Sequence, residues 1–301
     1  MTTATQTATT GAAALPTVRR RRRRRRVNMR AVWRTLGMVL IVVWCLAPFY
    51  WMLITSFRQV DFTYDNALYP KHVTFDNYKA IFKGSNHFGR ALFNSIVIGV
   101  VVTLFAMIVG VTCAYAIARL HFRGKFAVLG LILAASMFPG VALVTPLFQF
   151  FTNIHWLGTY QALIIPDLSF ALPLCVYVLA SFFTQMPWEL EQAAKVDGAS
   201  PGQAFRMVIL PLAAPGLFTA AILVFLSVWN EYLLASQLSN GNPNVAPVTY
   251  AIATFSGSDP RIVPYTSIMA AGVVVTIPLV LVVLLFQRRI VSGLTAGGVK
   301  G

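Results

Sequence analysis

The sequence predicts an all-α integral membrane protein with six transmembrane helices, and three observations carry this prediction. The chain has 301 residues, of which 57% are hydrophobic and 11% are charged, whereas soluble proteins are about a quarter charged. It contains six apolar stretches of about the 20 residues needed to cross a bilayer. Its basic residues fall mainly in the short loops of one side. We therefore interpret the formal charge of +15 as a signal of membrane topology first and of nucleic-acid binding second.

The first 29 residues are predicted to be a disordered tail, and a transmembrane domain is predicted over 30–301. Residues 1–18 are rich in Thr and Ala without an apolar period, so they cannot bury enough surface to offset their ordering entropy. The arginine run from Arg19 to Arg26 follows. Such a run can bind nucleic acid or precede a signal peptide, but its place before the first span favours anchoring of the amino terminus in the cytoplasm.

The six predicted spans are 36–57, 91–118, 126–151, 160–183, 212–238 and 264–286. With the amino terminus inside, the positive-inside rule places both termini and a polar stretch at 186–211 in the cytoplasm. The 58–90 segment, the 152–159 turn and the 239–263 loop are then outside. Prolines interrupt several spans, which favours a pathway between helices, although kinks are also common packing features: Pro139, Pro146, Pro166, Pro173 and Pro278.

The polar stretch, named here the 186–211 segment, is predicted to form two short helices. Pro187 and acidic first-turn residues start the first helix at 188–197, and Gly198 closes it in a left-handed conformation. Ser200-Pro201-Gly202-Gln203 is a capping box that starts the second helix, and Leu210-Pro211 is expected to stop it. Each helix has one apolar face. The segment is either an amphipathic loop on the bilayer surface or a docking element for a partner.

Polar side chains inside the predicted spans form a second candidate site. An ionisable group at the bilayer centre costs about 2.5–3.5 kcal/mol on insertion scales, so it needs a partner or water. One interpretation is a hydrated path for a neutral hydroxylated solute; the other is a set of interhelical hydrogen bonds or of residues at the outer interface. The candidates for the path are Asn94, Gln149, Trp229, Asn230 and Glu231, with Ser95 and Asp167 as neighbours, Asp167 being nearer a span end.

The sequence carries no recognisable catalytic motif. We find no Walker A sequence, no GxSxG elbow and no HExxH pair. The three cysteines lie in different spans without a CxxC spacing, so we expect packing residues and no disulfide or metal site. We therefore expect no catalytic residue, no metal and no cofactor bound by this chain.

The 186–211 segment resembles the EAA signature of importer permeases in the ATP-binding cassette (ABC) transporter superfamily. The matching residues are Glu191-Gln192-Ala193-Ala194, Asp197-Gly198-Ala199 and Val208-Ile209-Leu210-Pro211, with Gln192 at the position that is acidic in the family. The chain end, 293–301, looks like the tail of MalG-type carbohydrate permeases. Residues 193–216 are also similar to trehalose-importer subunits of the SugB type.

This resemblance implies a MetI-like, type I importer fold in the plasma membrane, forming half of a heterodimeric channel for a sugar such as trehalose or maltose. The implied partners are a MalF-like or SugA-like permease, an extracytoplasmic sugar-binding protein or lipoprotein, and a MalK-like or SugC-like ATPase dimer that holds ATP and Mg²⁺. The implied ATPase-coupling residues are Glu191, Gln192, Ala193, Ala194, Asp197, Gly198, Ala199, Phe205, Arg206, Leu210 and Pro211, and the tail 288–301 is implied to contact the ATPases through Leu294, Thr295, Gly297, Gly298 and Lys300.

Within the segment, the apolar docking area is expected from Phe205, Val208 and Ala194, with Arg206, Lys195 and Asp197 setting the orientation. Three other functions stay open. An ion-coupled secondary transporter would use Asp167 or Glu231, but the two halves show no paired interrupted segments. A scaffold would recruit cytoplasmic proteins through the segment without transport. An ABC permease could also carry another small solute.

Overall fold

The computed structural model describes residues 29–83, 87–255 and 264–298, without the side chains of Ala31 and of residues beyond Phe286. The predicted arginine tail and Lys300 lie outside the described residues. Within the described residues the chain is helical, and its one extended pairing is an isolated bridge between Arg58 and Val73. The all-α prediction is therefore confirmed. The chain divides into two units, residues 1–48 and residues 49–301.

Four helices in the described part of the chain are long and apolar enough to cross a membrane by themselves. They belong to α1 (Met29–Ser56), α3 (Phe88–Arg119), α6 (Tyr160–Gln185) and α13 (Tyr265–Gly298). Two pairs of shorter helices raise the number to six if each bent pair is one span. The predicted six-span architecture thus holds, with two of its spans broken.

The third predicted span is divided into α4 (Lys125–Ser136) and α5 (Gly140–Asn153), which meet at an angle of 84°. Pro139 lies at this break and precedes the first residue of α5. Proline lacks an N–H donor and disfavours the helical conformation of the residue before it, so α4 cannot continue through Phe138. The interruption predicted at Pro139-Gly140 is confirmed, and it is a corner instead of a kink.

The fifth predicted span, 212–238, begins close to the predicted residue but is interrupted before its predicted end. Its helix, α10, covers Ala214–Trp229 and is bent by 73° from the helical stretch Pro201–Leu212 that precedes it. After Trp229 the chain leaves the helix and starts again as α11 (Leu233–Leu238). The cause is the Glu231 side chain, whose two oxygens accept the Leu234 and Ala235 N–H groups at 2.7 and 2.9 Å. This carboxylate starts a new helix where the hydropathy pattern indicated an uninterrupted one.

The core of the second unit is built by α3 packed along α6, with α10 against both. Small residues allow the close approach. A Cβ on Gly110 of α3 would lie 2.6 Å from the Cys175 sulfur of α6, and one on Gly216 of α10 would lie 2.5 Å from the Phe182 ring. Cys175 is fully buried at this contact, as the packing role predicted for it requires. Side chains larger than Gly would force these helices apart.

The segment after α1 is held by Arg58, which is 2% exposed. Its guanidinium donates to the Asp65 and Ala67 carbonyl oxygens and lies 4.9 Å from the Trp51 ring. The Ala67 N–H donates to the Asp65 carboxylate, and this bond, with Lys71 nearby, holds the pKa of Asp65 below its usual value. The segment ends in α2 (Asp76–Lys83), which packs against α13. The predicted outer segment is therefore structured over residues 58–83.

Candidate functional site

The first half of the 186–211 segment folds as the sequence predicts. Helix α7 covers Glu189–Val196, one residue shorter at each end than expected. Gly198 has a φ of +88° and donates its N–H to the Lys195 carbonyl, so it closes the helix in the left-handed conformation. The Ser200 hydroxyl and the Gln203 side chain form both bonds of the predicted capping box, at 3.3 and 2.8 Å.

The second half departs from the prediction, because Leu210-Pro211 does not stop the helix. Helix α8 (Pro201–Ala204) continues through a π-helical turn at Phe205–Ile209 into α9 (Leu210–Leu212). The Leu210 N–H donates to the Phe205 carbonyl, five residues earlier. This wider turn shifts the hydrogen-bond register just before Pro211. A regular α-helix would need an N–H donor at this position, and proline lacks one. The second half of the segment, from Pro201, therefore enters the bend before α10 as one continuous helical stretch.

Arg119, at the end of α3, clamps the start of the segment. It is 3% exposed, its Nη2 donates to the Met186 carbonyl at 2.7 Å, and its guanidinium lies 4.9 Å from the Trp188 ring. The Nε and Nη1 groups are buried without a partner among the described residues. A charge-assisted bond to a main-chain oxygen fixes the point where the chain leaves α6. The sequence assigned Arg119 only to topology and missed this role.

Glu191 anchors α7 on its inner side. It is 4% exposed, and its Oε1 accepts from Lys195 at 2.9 Å and from the Tyr115 hydroxyl at 3.3 Å. The Lys195 side chain is 45% exposed. Glu191 thus joins α7 to α3 and neutralises a cation at the segment surface. Its neighbour Gln192, which occupies the acidic position of the EAA pattern, is exposed.

An aromatic contact holds the second half of the segment to the same place on α3. The Tyr115 ring lies 4.5 Å from the Phe205 ring and 6.0 Å from the Phe183 ring, between centroids. Ala204 and Ile209 are fully buried nearby in the fold, and Ala194 is 9% exposed. These side chains form the inner face of the segment, which packs against the ends of α3 and α6.

The outer face of the segment carries two strongly exposed apolar side chains. Val196 is 87% exposed and Met207 is 74% exposed. Around them lie polar and small residues that are also exposed: Gln192, Ala193, Lys195, Asp197, Gly198 and Arg206. The docking area that the sequence predicts is not on this outer face. Ala194 is 9% exposed, and Phe205 and Val208 are half-buried. The missed signal is the helical period, which places Val196 on the side opposite Ala194.

The proposed tail residues are only partly described. The main chain of α13 continues through Leu294, Thr295, Gly297 and Gly298 as helix. Lys300 lies outside the described residues. The predicted tail contact with an ATPase therefore stays a prediction.

Two of the in-membrane candidates are structural. Asn94 is fully buried, donates to the Pro243 and Ala246 carbonyls, and accepts from the Tyr160 hydroxyl at 2.6 Å. The two carbonyl bonds fasten the 239–247 turn to α3, and the Tyr160 bond joins α6 to α3, which is the interhelical alternative stated above. Trp229 is 2% exposed and packs 5.5 Å from the Phe225 ring. Neither side chain faces an open path.

The remaining candidates are separated. Gln149 is exposed on α5, and Asn230 is exposed after α10 with its Nδ2 bonded to the Leu226 carbonyl at 2.7 Å. Glu231 is committed to the start of α11, as described above. Asp167 joins Glu231 in lining a cleft of about 150 Å³, together with Gly140, Phe170 and Ser227. The structure thus brings Glu231 next to Asp167, which the sequence placed near a span end, and separates both from Gln149.

Comparison with known proteins gives this arrangement a family. Residues 106–295 match the family described as "Binding-protein-dependent transport system inner membrane component". The chain is 51% identical to the trehalose transport system permease protein SugB of Mycobacterium tuberculosis, over 87% of this chain and 95% of that protein. It is 40% identical to the trehalose/maltose transport system permease protein MalG of Thermococcus litoralis, over 88% of this chain and 95% of the relative.

A solved structure has the same fold. It is a bacterial ABC transporter involved in the import of the acidic polysaccharide alginate, and its matching chain superposes with a TM-score of 0.72 at 20% identity, covering 88% of this chain and 98% of that one. The likeness at this identity concerns the fold, and the family match covers the 186–211 segment, α10 and most of α13. The chain belongs to the inner-membrane permease components of binding-protein-dependent ABC transporters.

Proposed function

We propose that this permease forms one half of the membrane channel of an ATP-driven sugar importer. The observation that carries the proposal is the division of the 186–211 segment into a clamped inner face and an exposed outer face. Arg119, Glu191 and Phe205 hold the segment on α3, while Val196 and Met207 are left uncovered. Exposed apolar side chains on a rigid polar element are typical of a protein contact.

The partner at the outer face is proposed to be an ATPase subunit. Because Met207 lies in the helical stretch that continues through Pro211 to the bend before α10, a push on Met207 is proposed to reach a membrane helix. Reversing a two-state gate from 1:99 to 99:1 takes about 5.5 kcal/mol of differential stabilisation. ATP binding and Mg²⁺ would reside on the partner, and this chain is proposed to bind neither.

The remaining members of the assembly are proposed from the family match. We propose a second, unlike permease as the other half of the channel and an extracytoplasmic binding protein that delivers the sugar. A solved alginate transporter in complex with its pentasaccharide-bound periplasmic protein is a structural neighbour with a TM-score of 0.63. The distribution of basic residues supports an orientation with the segment and both termini in the cytoplasm.

The proposed substrate is a neutral disaccharide, with trehalose first and maltose second. Support comes from the relatives, because the two proteins with 51% and 40% identity are named for trehalose and for trehalose and maltose. Family membership weighs against the ion-coupled transporter and the scaffold considered from the sequence. An importer for another small solute is the alternative that an uptake assay decides.

The test is uptake by cells that carry the complete transporter or lack this chain. We expect ATP-dependent uptake of labelled trehalose that disappears on deletion and is competed by unlabelled trehalose more strongly than by maltose. An equal excess of an amino acid serves as the control competitor. Deletion without effect on trehalose or maltose uptake would contradict the sugar proposal.

A further inference from the structure

Asp167 is a buried carboxyl group without a hydrogen-bond partner among the described residues. It lies in the second turn of α6 and is 7% exposed. The residues that line the two cavities beside it include no Lys, Arg or His. Burying an unpaired carboxyl group inside a membrane protein is costly, and such a group marks a functional site more often than a packing position.

Two cavities meet at Asp167. One is a small space of about 10 Å³ between Asp167, Glu231, Ser95 and apolar side chains. This volume is about that of one water-sized probe. The other is the cleft of about 150 Å³ described above, which Ser227 and Phe170 also line. Asp167 therefore stands at the inner wall of the cleft with room for water behind it.

The neighbouring carboxylate has a different role. Both oxygens of Glu231 already accept main-chain N–H groups at the start of α11. Its carbonyl oxygen in turn accepts from the Thr249 hydroxyl at 2.7 Å. Glu231 is thus fixed in place and shapes the wall of the cleft. Asp167 is the carboxyl group that is left to bind a ligand.

The lining of the cleft fits one sugar ring. A carboxyl group and the Ser227 hydroxyl can bond sugar hydroxyls, and the Phe170 ring offers an apolar face to the C–H side of a pyranose. Gly140 has no side chain to fill the space, and a Cβ there would lie 3.9 Å from the Phe170 ring. The volume is about half that of the smaller common ligand pockets. It therefore holds one ring, and the rest of a disaccharide would extend beyond this chain.

We propose that Asp167 hydrogen-bonds the hydroxyl groups of one neutral sugar ring in this cleft, with Phe170 packed against the ring. This inference rests on the proposed sugar transport and names the residues of this chain that contact the sugar. The residues that line the cleft include no basic side chain that could pair with the carboxylate of a uronic acid, so a neutral sugar is favoured.

The first experiment compares Asp167→Asn with the wild type in trehalose uptake by the complete transporter. The amide turns one of the two oxygens that can bond sugar hydroxyls into an NH₂ donor, so we expect the KM of uptake to rise about tenfold at unchanged protein abundance. Phe170→Leu should raise the KM less. Asp61→Asn, an exposed carboxyl group outside the spans, is the matched control and should leave the KM unchanged.

The second experiment keeps Asp167 intact and so does not depend on the folding of its variants. Ser227→Cys is introduced with Cys45→Ser, because Cys45 is exposed, and the rate of thiol labelling is measured in the purified transporter trapped with vanadate. We expect trehalose to slow the labelling and galacturonic acid to have no effect.

Failure of this inference can be told apart from failure of the proposed function. If the wild type takes up trehalose but Asp167→Asn keeps a normal KM and trehalose does not slow Ser227→Cys labelling, the Asp167 site is wrong and the sugar importer stands. If the wild type takes up no sugar, the proposed function and this inference both fall.

Discussion

The 186–211 segment and the cleft lined by Asp167 and Glu231 are both built where a membrane helix is interrupted, but they use buried polar side chains in opposite ways. In the segment, Arg119 bonds to a main-chain oxygen and Glu191 bonds to Lys195 and Tyr115. In the cleft, Glu231 caps a helix while Asp167 has no partner among the described residues. The buried side chains of the segment tie two elements together, whereas Asp167 makes no such bond and is the group that is left for a ligand.

The difference extends to the surfaces that remain. The segment turns its polar bonds inward and leaves Val196 and Met207 outside, which suits a lasting contact with another protein. The cleft keeps polar atoms in a concave space and places its apolar groups around them, which suits a small solute that binds and leaves. Variants that exchange or remove these features should separate the two roles.

The largest effect is expected from Phe205→Asp. The change places a carboxylate against the Tyr115 ring, 4.5 Å from the Phe205 ring centroid, and near Glu191. Burying an unpaired charge costs several kcal/mol, so the segment should detach from α3 and uptake should be abolished. Phe205→Leu keeps an apolar contact and should retain most of the uptake. Abundance in the membrane is measured alongside, and normal uptake by Phe205→Asp would contradict the clamped inner face.

An intermediate effect is expected from Arg119→Met. The variant keeps a long apolar side chain but loses the bond to the Met186 carbonyl and the contact with Trp188. Hydrogen bonds to charged groups contribute about 1.5–3 kcal/mol, so we expect a lower melting temperature and uptake reduced about tenfold or more. Arg123→Met, at an exposed position just beyond α3, is the control. If the two variants had the same melting temperature and the same uptake, Arg119 would act only as a charge that sets membrane topology.

The smallest effect is expected from Ser200→Ala, which removes one of the two capping-box bonds. Loss of a Ser N-cap costs about 1 kcal/mol. Uptake should remain close to normal at growth temperature, and the melting temperature of the detergent-purified transporter should fall by a few degrees. Ser181→Ala, at an exposed position inside α6, is the control that should not change it. A loss of uptake as large as that of Phe205→Asp would mean that the cap itself takes part in coupling.

The sequence predicted those parts of the fold that depend on local chemistry. Hydropathy located the spans, and the capping box and Gly198 located both helices of the segment, because these signals lie within a few residues. It failed at Pro211 and after Trp229. At Pro211 a π turn supplied a register that proline tolerates, and after Trp229 the Glu231 side chain started a helix inside an apolar run.

The candidate sites were predicted less completely, because they depend on which side of a helix meets another element. Phe205 and Ala194 looked like docking residues until α3 was placed against them, and Val196 gained importance only because nothing in the described chain covers it. Asn94 looked like a path residue, but it bonds to carbonyls about 150 positions later in the chain. Such contacts leave no local pattern in the sequence.

The most direct test of the central claim, that the segment has a clamped inner face and an ATPase-binding outer face, is site-directed cross-linking. Single cysteines at Val196 and Met207 are compared with one at Ala204, which is fully buried, in the assembled transporter without its native cysteines. The account predicts cross-links to the ATPase subunit from Val196→Cys and Met207→Cys and none from Ala204→Cys. Cross-linking of Ala204→Cys to the ATPase, with Val196→Cys and Met207→Cys unreactive toward it, would contradict the account.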